Sequence, residues 1–144
     1  MSVYARFKRN ADGFRHLVEL LETTPQVRRQ KMIDVGMQED PDYTIRAMEF
    51  MLNFNDLMNL PDAELVEVLA VAPARTTGYA FSQAPDTIKN RLLLIAPPRL
   101  RADLKDYLGV TVGPREIGGA QLKLVEITRQ LERKGLVKTK KIPA

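Results

Sequence analysis

Apolar residues recur along this chain at helical rather than alternating intervals, and the breaks in that recurrence divide it into short segments. Asp12 suits a helix N-cap, and Phe14, Leu17, Val18, Leu20 and Leu21 behind it predict an inward face that Thr23-Thr24-Pro25 ends. Thr24 as N-cap and Pro25 at the first helical position predict a second helix with Val27, Met32, Ile33 and Val35, stopped by Gly36. Asp40-Pro41 repeats the start signal for a third helix carrying Ile45, Met48, Phe50, Met51 and Leu52. None of the three can bury its apolar face alone, so residues 1–50 are expected to form a three-helix bundle.

Apolar density is highest where the period breaks. Asn53 and Asn55 favour caps and turns over helix interiors, whereas Met51, Leu52 and Phe54 are too apolar to leave in water. The stretch 51–57 is therefore expected to be a buried hinge, with Met51, Leu52, Asn53 and Phe54 at its centre. Beyond it, Pro61, Pro73, Pro85 and Pro97 recur every 12 residues. Proline suits the first turn of a helix and disfavours helix before it, which predicts short helices from Pro61 to about Ala70, Pro73 to Ser82, Pro85 to Ile95 and Pro97 to Leu108, stacked superhelically. Gly113-Pro114 opens the longest helix, running to about Lys134 before Gly135, with Ala120, Leu124, Ile127 and Leu131 as its inward seam. Gly118-Gly119 within it reads either as a close helix contact or as a sign that the helix starts a turn later. Residues 58–137 form the second subdomain of this all-α chain, and Lys138 to Ala144 is expected to be a solvated basic tail.

Composition sharpens the picture by exclusion. The chain has 144 residues, 44% hydrophobic and 28% charged, which is ordinary for a globular domain. There is no Cys, one His and no Gly-rich phosphate loop, so the sequence offers no disulfide, thiolate metal site or nucleophile–base pair. His16 follows Phe14 at the start of the first helix and reads as a surface residue, since a lone His makes no metal site. No cationic-then-apolar leader or long uncharged run is present, which places the expected compartment in the cytoplasm. The reading is of a non-enzymatic protein without cofactor or metal.

The net charge of +4 is uneven: residues 97–144 hold 11 basic and 5 acidic side chains, against 8 and 8 in residues 1–50. The basic end lacks interleaved aromatics and a helix-turn-helix pattern, so no nucleic-acid partner is expected. In the helix from Pro97, Leu100, Leu104, Tyr107 and Leu108 share one face. Arg99, Asp103 and Asp106 fall opposite as a ridge of mixed charge, flanked by Arg101 and Lys105. On its own such a ridge is an ordinary solvated, salt-bridged face.

From Asp12 to Val137 the chain resembles the C-terminal region of the FliG family, the bacterial flagellar motor switch proteins. The family's Met-Phe-Val-Phe hinge motif appears as Met51-Leu52-Asn53-Phe54, departing at Leu52 and Asn53, and Asp40-Pro41-Asp42-Tyr43 resembles the Asp-Pro-Glu-Leu that opens the preceding helix. The resemblance covers only the C-terminal portion of the family, without its N-terminal domain or the middle domain bearing a Glu-His-Pro-Gln motif. It implies that residues 12–50 are an armadillo-like bundle able to stack on a second copy, and that the later helices are the torque-generating subdomain. It further implies that Arg99 and Asp106, with Arg115 after a small shift, belong to a charged ridge facing the stator's cytoplasmic loop, to which helical spacing adds Asp103. Ser82 and Tyr107 stand where the family has a Lys and a second Asp, which predicts a weaker stator contact. The implied partners are the switch components FliM and FliN and the stator, at the cytoplasmic face of the inner membrane in the flagellar basal body. Two alternatives accompany this reading: a scaffold or regulator in a non-flagellar assembly, and a regulatory module like the cytosolic domain of magnesium transporters, which would need clustered carboxylates.

Overall fold

The computed structural model describes residues 3–143, and among them every regular element is a helix. The chain forms two compact units, Met1–Leu52 with Lys140–Ala144, and Asn53–Thr139.

In the first unit, α1 (Val3–Arg9), α2 (Gly13–Thr23), α3 (Gln26–Glu39) and α4 (Pro41–Phe50) surround a core of Tyr4, Leu17, Val18, Leu21, Ile33, Ala47 and Ile142. Helices α2 to α4 are the three that the apolar spacing predicts. The first helix went unforeseen because it brings one deeply buried apolar side chain, Tyr4, whose hydroxyl donates to the Met32 carbonyl. Gly36 does not stop α3, which continues to Glu39. A Cβ there would lie 2.4 Å from the Thr44 hydroxyl and 2.6 Å from the Tyr4 ring, so this glycine lets α1 and α4 approach α3 closely. Thr24 does not cap α3 either; its hydroxyl donates back to the Leu20 carbonyl, and α3 starts from Pro25. The α2 end is further closed by the Arg29 guanidinium, which donates to the carbonyls of Leu21, Glu22 and Thr24. Asp40 caps α4, its carboxylate accepting from the Tyr43 N–H.

Several residues expected to point inward face solvent instead: Leu20, Val27, Val35, Ile45 and Met48 are all exposed, Val27 at 72%. Thr44 and Ala47 take the inner positions of α4 in their place. A small bundle covers one stripe of each helix, and these side chains lie off that stripe.

The second unit comprises α5 (Phe54–Met58), α6 (Asp62–Val71), α7 (Ala74–Ala80), α8 (Asp86–Ile95), α9 (Pro98–Leu108) and α10 (Pro114–Arg133). Each proline of the 12-residue series occupies the N-cap position of α6, α7, α8 or α9, with φ between −51° and −57°. The ring sets the entry angle while its missing N–H is no loss there. Side chains close several of these turns. Arg91 donates to the Met58 and Leu60 carbonyls and to Asp62, and Arg101 reaches the Leu94 and Ala96 carbonyls at 3.5 and 3.3 Å. Arg101 is thus a cap for the end of α8 as well as a neighbour of the ridge.

Helix α10 is the spine of this unit, packing against α5, α6 and α7, while α7 packs on α9. It runs unbroken through Gly118 and Gly119, with nothing within 4 Å of a Cβ at either, which removes both the later start and the close contact. Its end is a Schellman turn: Gly135 at φ 80° gives its N–H to Glu132, and the Leu136 N–H returns to the Leu131 carbonyl. The segment after Gly135 is not a solvated tail. Lys138 and Thr139 are held by Glu64, and Ile142, only 1% exposed, lies in the core of the first unit.

Candidate interaction ridge and the 51–54 link

The helix break falls at residues 51–53. Met51 packs on the core of the first unit, and the buried Leu52 N–H donates to the Glu22 carboxylate at 2.7 Å. Asn53 opens the second unit as the N-cap of α5, in a reciprocal capping box. Its side chain accepts from the Asp56 N–H and the Asp56 carboxylate accepts from the Asn53 N–H, each at 2.9 Å. Phe54 then packs against Phe81, the ring centroids 4.7 Å apart and the planes tilted by 60°. The amide side chain at 53, where the family motif has an apolar residue, is used as a cap.

On α9, Leu104 and Leu108 are buried and Leu100 and Tyr107 half-buried, while Arg99, Asp103 and Asp106 are exposed on the outer face. Arg115 is exposed on the first turn of α10, whose main packing is with α5, α6 and α7. Among the described residues, none of these four side chains is in an ion pair. The face is therefore solvated but not salt-bridged to itself. Arg99 and Arg115 each follow a proline at the first position of their helix, where a cation opposes the helix dipole by about 0.3–1 kcal/mol. Two cations thus occupy positions that local helix energetics disfavour.

The two uncharged ridge positions have local work. The Tyr107 backbone and Cβ lie against Gly78 of α7, and its ring meets Tyr79 edge-on at 5.9 Å. Ser82 donates to the Tyr79 carbonyl at 2.8 Å, closing the end of α7.

Sequence reasoning passed over three buried charges. Glu22 and the pair Arg129–Glu132, joined at 2.7 Å, are nearly inaccessible. Their register signalled it: Glu22 follows Val18 by four residues, and Arg129 and Glu132 follow Val125 by four and seven, all on apolar faces.

No helix among the described residues is long and apolar enough to cross a membrane, and none of their His, Asp or Glu side chains form a group of three placed to hold a metal.

Short proline-started helices packed with a spine helix, following a small helical bundle, define the class as an all-helical protein. The family model for the FliG C-terminal domain matches residues 37–138, and the chain belongs to that family, which comprises flagellar motor switch proteins and not enzymes. It is similar to the flagellar motor switch protein FliG of Aquifex aeolicus, at 31% identity over 129 residues, and to that of Thermotoga maritima, at 28% over 126. These alignments cover 88% and 85% of this chain but 39% and 37% of the relatives, so the chain spans about two-fifths of their length. Among solved structures, FliG residues 86–343 from H. pylori align with a TM-score of 0.66 at 20% identity, covering 95% of this chain and 66% of that one. The full-length FliG from Aquifex aeolicus aligns with a TM-score of 0.53 at 31% identity, covering 91% and 41%.

Proposed function

We propose that the chain is a rotor element of a flagellar switch that binds its partners through protein surfaces alone, with the α9–α10 ridge as the contact for the stator's cytoplasmic loop. The observation that carries this is the set of exposed charges that make no ion pair among the described residues, Arg99, Asp103, Asp106 and Arg115, two of them cations held at helix starts. A ridge of both signs recognises a partner of complementary pattern and sets orientation more than affinity. The exposed Val27, Val35, Ile45 and Met48 of the first unit are the apolar surface for stacking on a second copy or on a switch component, FliM or FliN, within residues 12–50. Met51, Leu52, Asn53 and Phe54 are the hinge that lets the ridge be re-aimed. The working place of such a protein is the cytoplasmic face of the inner membrane, in the flagellar basal body.

The test is binding of the purified chain to FliM, FliN and the stator loop at two salt concentrations, beside Arg99→Asp and Asp106→Lys variants. Each reversal is expected to weaken stator-loop binding roughly 3- to 10-fold at low salt, less at high salt, with FliM and FliN binding kept. Unaltered loop binding would sink the stator reading. A scaffold in a different assembly is the second reading, favoured by the engagement of Ser82 and Tyr107 in local packing; it expects no loop binding by any variant.

A further inference from the structure

The first unit carries a surface cleft of about 250 Å³, lined by Asp12, Phe14 and Arg15 at the start of α2, by Tyr43 and Arg46 of α4, and by Pro143. Its wall is aromatic. The Phe14 ring meets Tyr43 edge-on with centroids 5.6 Å apart and Phe50 at 5.9 Å, and all three pack on the core of the unit. The Arg46 guanidinium lies 5.4 Å from the Phe14 centroid, while Arg15 reaches Glu19 at 3.7 Å. Asp12 starts α2 without giving its carboxylate to a helix N–H. Neither the Asp12 carboxylate nor the Arg46 guanidinium is in an ion pair among the described residues. Two opposite charges thus line one cleft without meeting, beside an apolar wall.

We propose that this cleft docks a peptide segment of a protein partner in which an acidic and a basic side chain flank an apolar one. Arg46 takes the carboxylate, Asp12 takes the cation, and Phe14 and Tyr43 receive the apolar side chain. The charge pattern selects this occupant: a simple anion would be repelled by Asp12 and a simple cation by Arg46 and Arg15, whereas a segment of both signs complements the cleft. The rim favours a segment lying across it over an enclosed small molecule. Asp12, Arg46 and Pro143 are exposed, and the volume falls below the roughly 300–1,000 Å³ of pockets that bury a drug-sized ligand. The wall is preformed, because its rings are anchored on the core, so little ordering is needed when a segment docks. The site uses none of the ridge residues and none of Val27, Val35, Ile45 and Met48.

The test is a titration of the isotope-labelled full chain, followed by amide NMR shifts, with the acetylated and amidated peptides Glu-Leu-Lys and Lys-Leu-Glu. Asp12→Asn and Arg46→Gln are the variants, both at exposed positions outside the core. One of the two peptide orders is expected to give saturable shifts around Phe14, Tyr43 and Arg46, and each variant to weaken it by about 2- to 5-fold, the range of an exposed charge contact. Replacing the peptide's Glu by Gln should weaken binding to the parent but not to Arg46→Gln, which pairs those two groups directly. Shifts that do not saturate, or that spread away from the cleft, overturn the site. Weakening by Arg46→Gln with none by Asp12→Asn would mean a plain anion site and overturn the assignment. Equal binding of free leucine, itself a zwitterion, would mean a small-molecule site and overturn the peptide.

Discussion

Single residues hold this molecule together in ways that charge counting misses. Lys8 and Asp40 meet at 2.6 Å on the surface of the first unit. The hydrogen bond from Lys8, then the one from the Tyr43 N–H, holds the Asp40 carboxyl below the usual carboxylate range, and the same bond to Asp40 raises the Lys8 ammonium. A depressed carboxylate stabilises the fold above its unfolded pKa of roughly 3.9, and that contribution is lost as pH falls through the depressed folded value. A raised lysine contributes below roughly 10.4 and loses its share as pH climbs through the raised value. Lys8→Met is therefore expected to lower the urea midpoint slightly at pH 6, and to match the parent once pH has fallen through the depressed folded pKa of Asp40, where its carboxyl is protonated in both states. The pH 6 difference should shrink in 1 M salt. None of this was legible beforehand, because Lys8 precedes the first helix the pattern revealed and Asp40 lies 32 positions away.

At the scale of elements, the helices that announced themselves are those whose starts carry proline or an N-cap residue, and their ends are cruder. The 12-residue proline series located four helix starts to within one residue, since ring geometry acts locally and needs no tertiary partner. Glycine is the opposite case. Gly36, Gly78, Gly118 and Gly119 all stand inside helices, and only neighbours distinguish them. A Cβ on Gly78 would lie 2.2 Å from the Tyr107 Cβ and 2.8 Å from its backbone, at the crossing of α7 and α9. Gly78→Ala is expected to destabilise the chain by about 1–3 kcal/mol in denaturant titration. Gly118→Ala, with open space around it, should stabilise by about 0.5–1 kcal/mol through helix propensity. Equal effects of the two substitutions would show that the α7–α9 contact is looser than described.

At the scale of the whole molecule, two units with separate sets of buried residues predict separate responses to damage. Arg129 and Glu132 are a buried pair within α10, the spine of the second unit. Glu132→Ala removes the buried charge-assisted hydrogen bond from Arg129 and is expected to cost about 1.5–3 kcal/mol. In hydrogen exchange the loss of protection should appear across residues 53–139, with α2 to α4 of the first unit keeping theirs. Equal loss in both units would mean that they unfold as one. The same two-unit division gives the ridge its meaning: Arg99, Asp103, Asp106 and Arg115 all belong to the second unit, and the 51–54 link is where the first ends.

The sequence by itself determined the helical class, the four proline-started helices, a helix break within 51–57, which the structure narrows to 51–53, and the outward face of α9, because each depends on residues within a turn or two of one another. Its family resemblance, carried by short motifs, was legible for the same reason. Only the tertiary structure decided that α1 completes the first unit, that Val27, Val35, Ile45 and Met48 stay exposed, and that Glu22, Arg129 and Glu132 are buried. It also decided that Ile142 belongs to a core whose other members lie 95 or more positions earlier in the chain. An isoleucine after lysines and before a proline carries no period, and what buries it is a cavity shaped by α1, α2, α3 and α4 together.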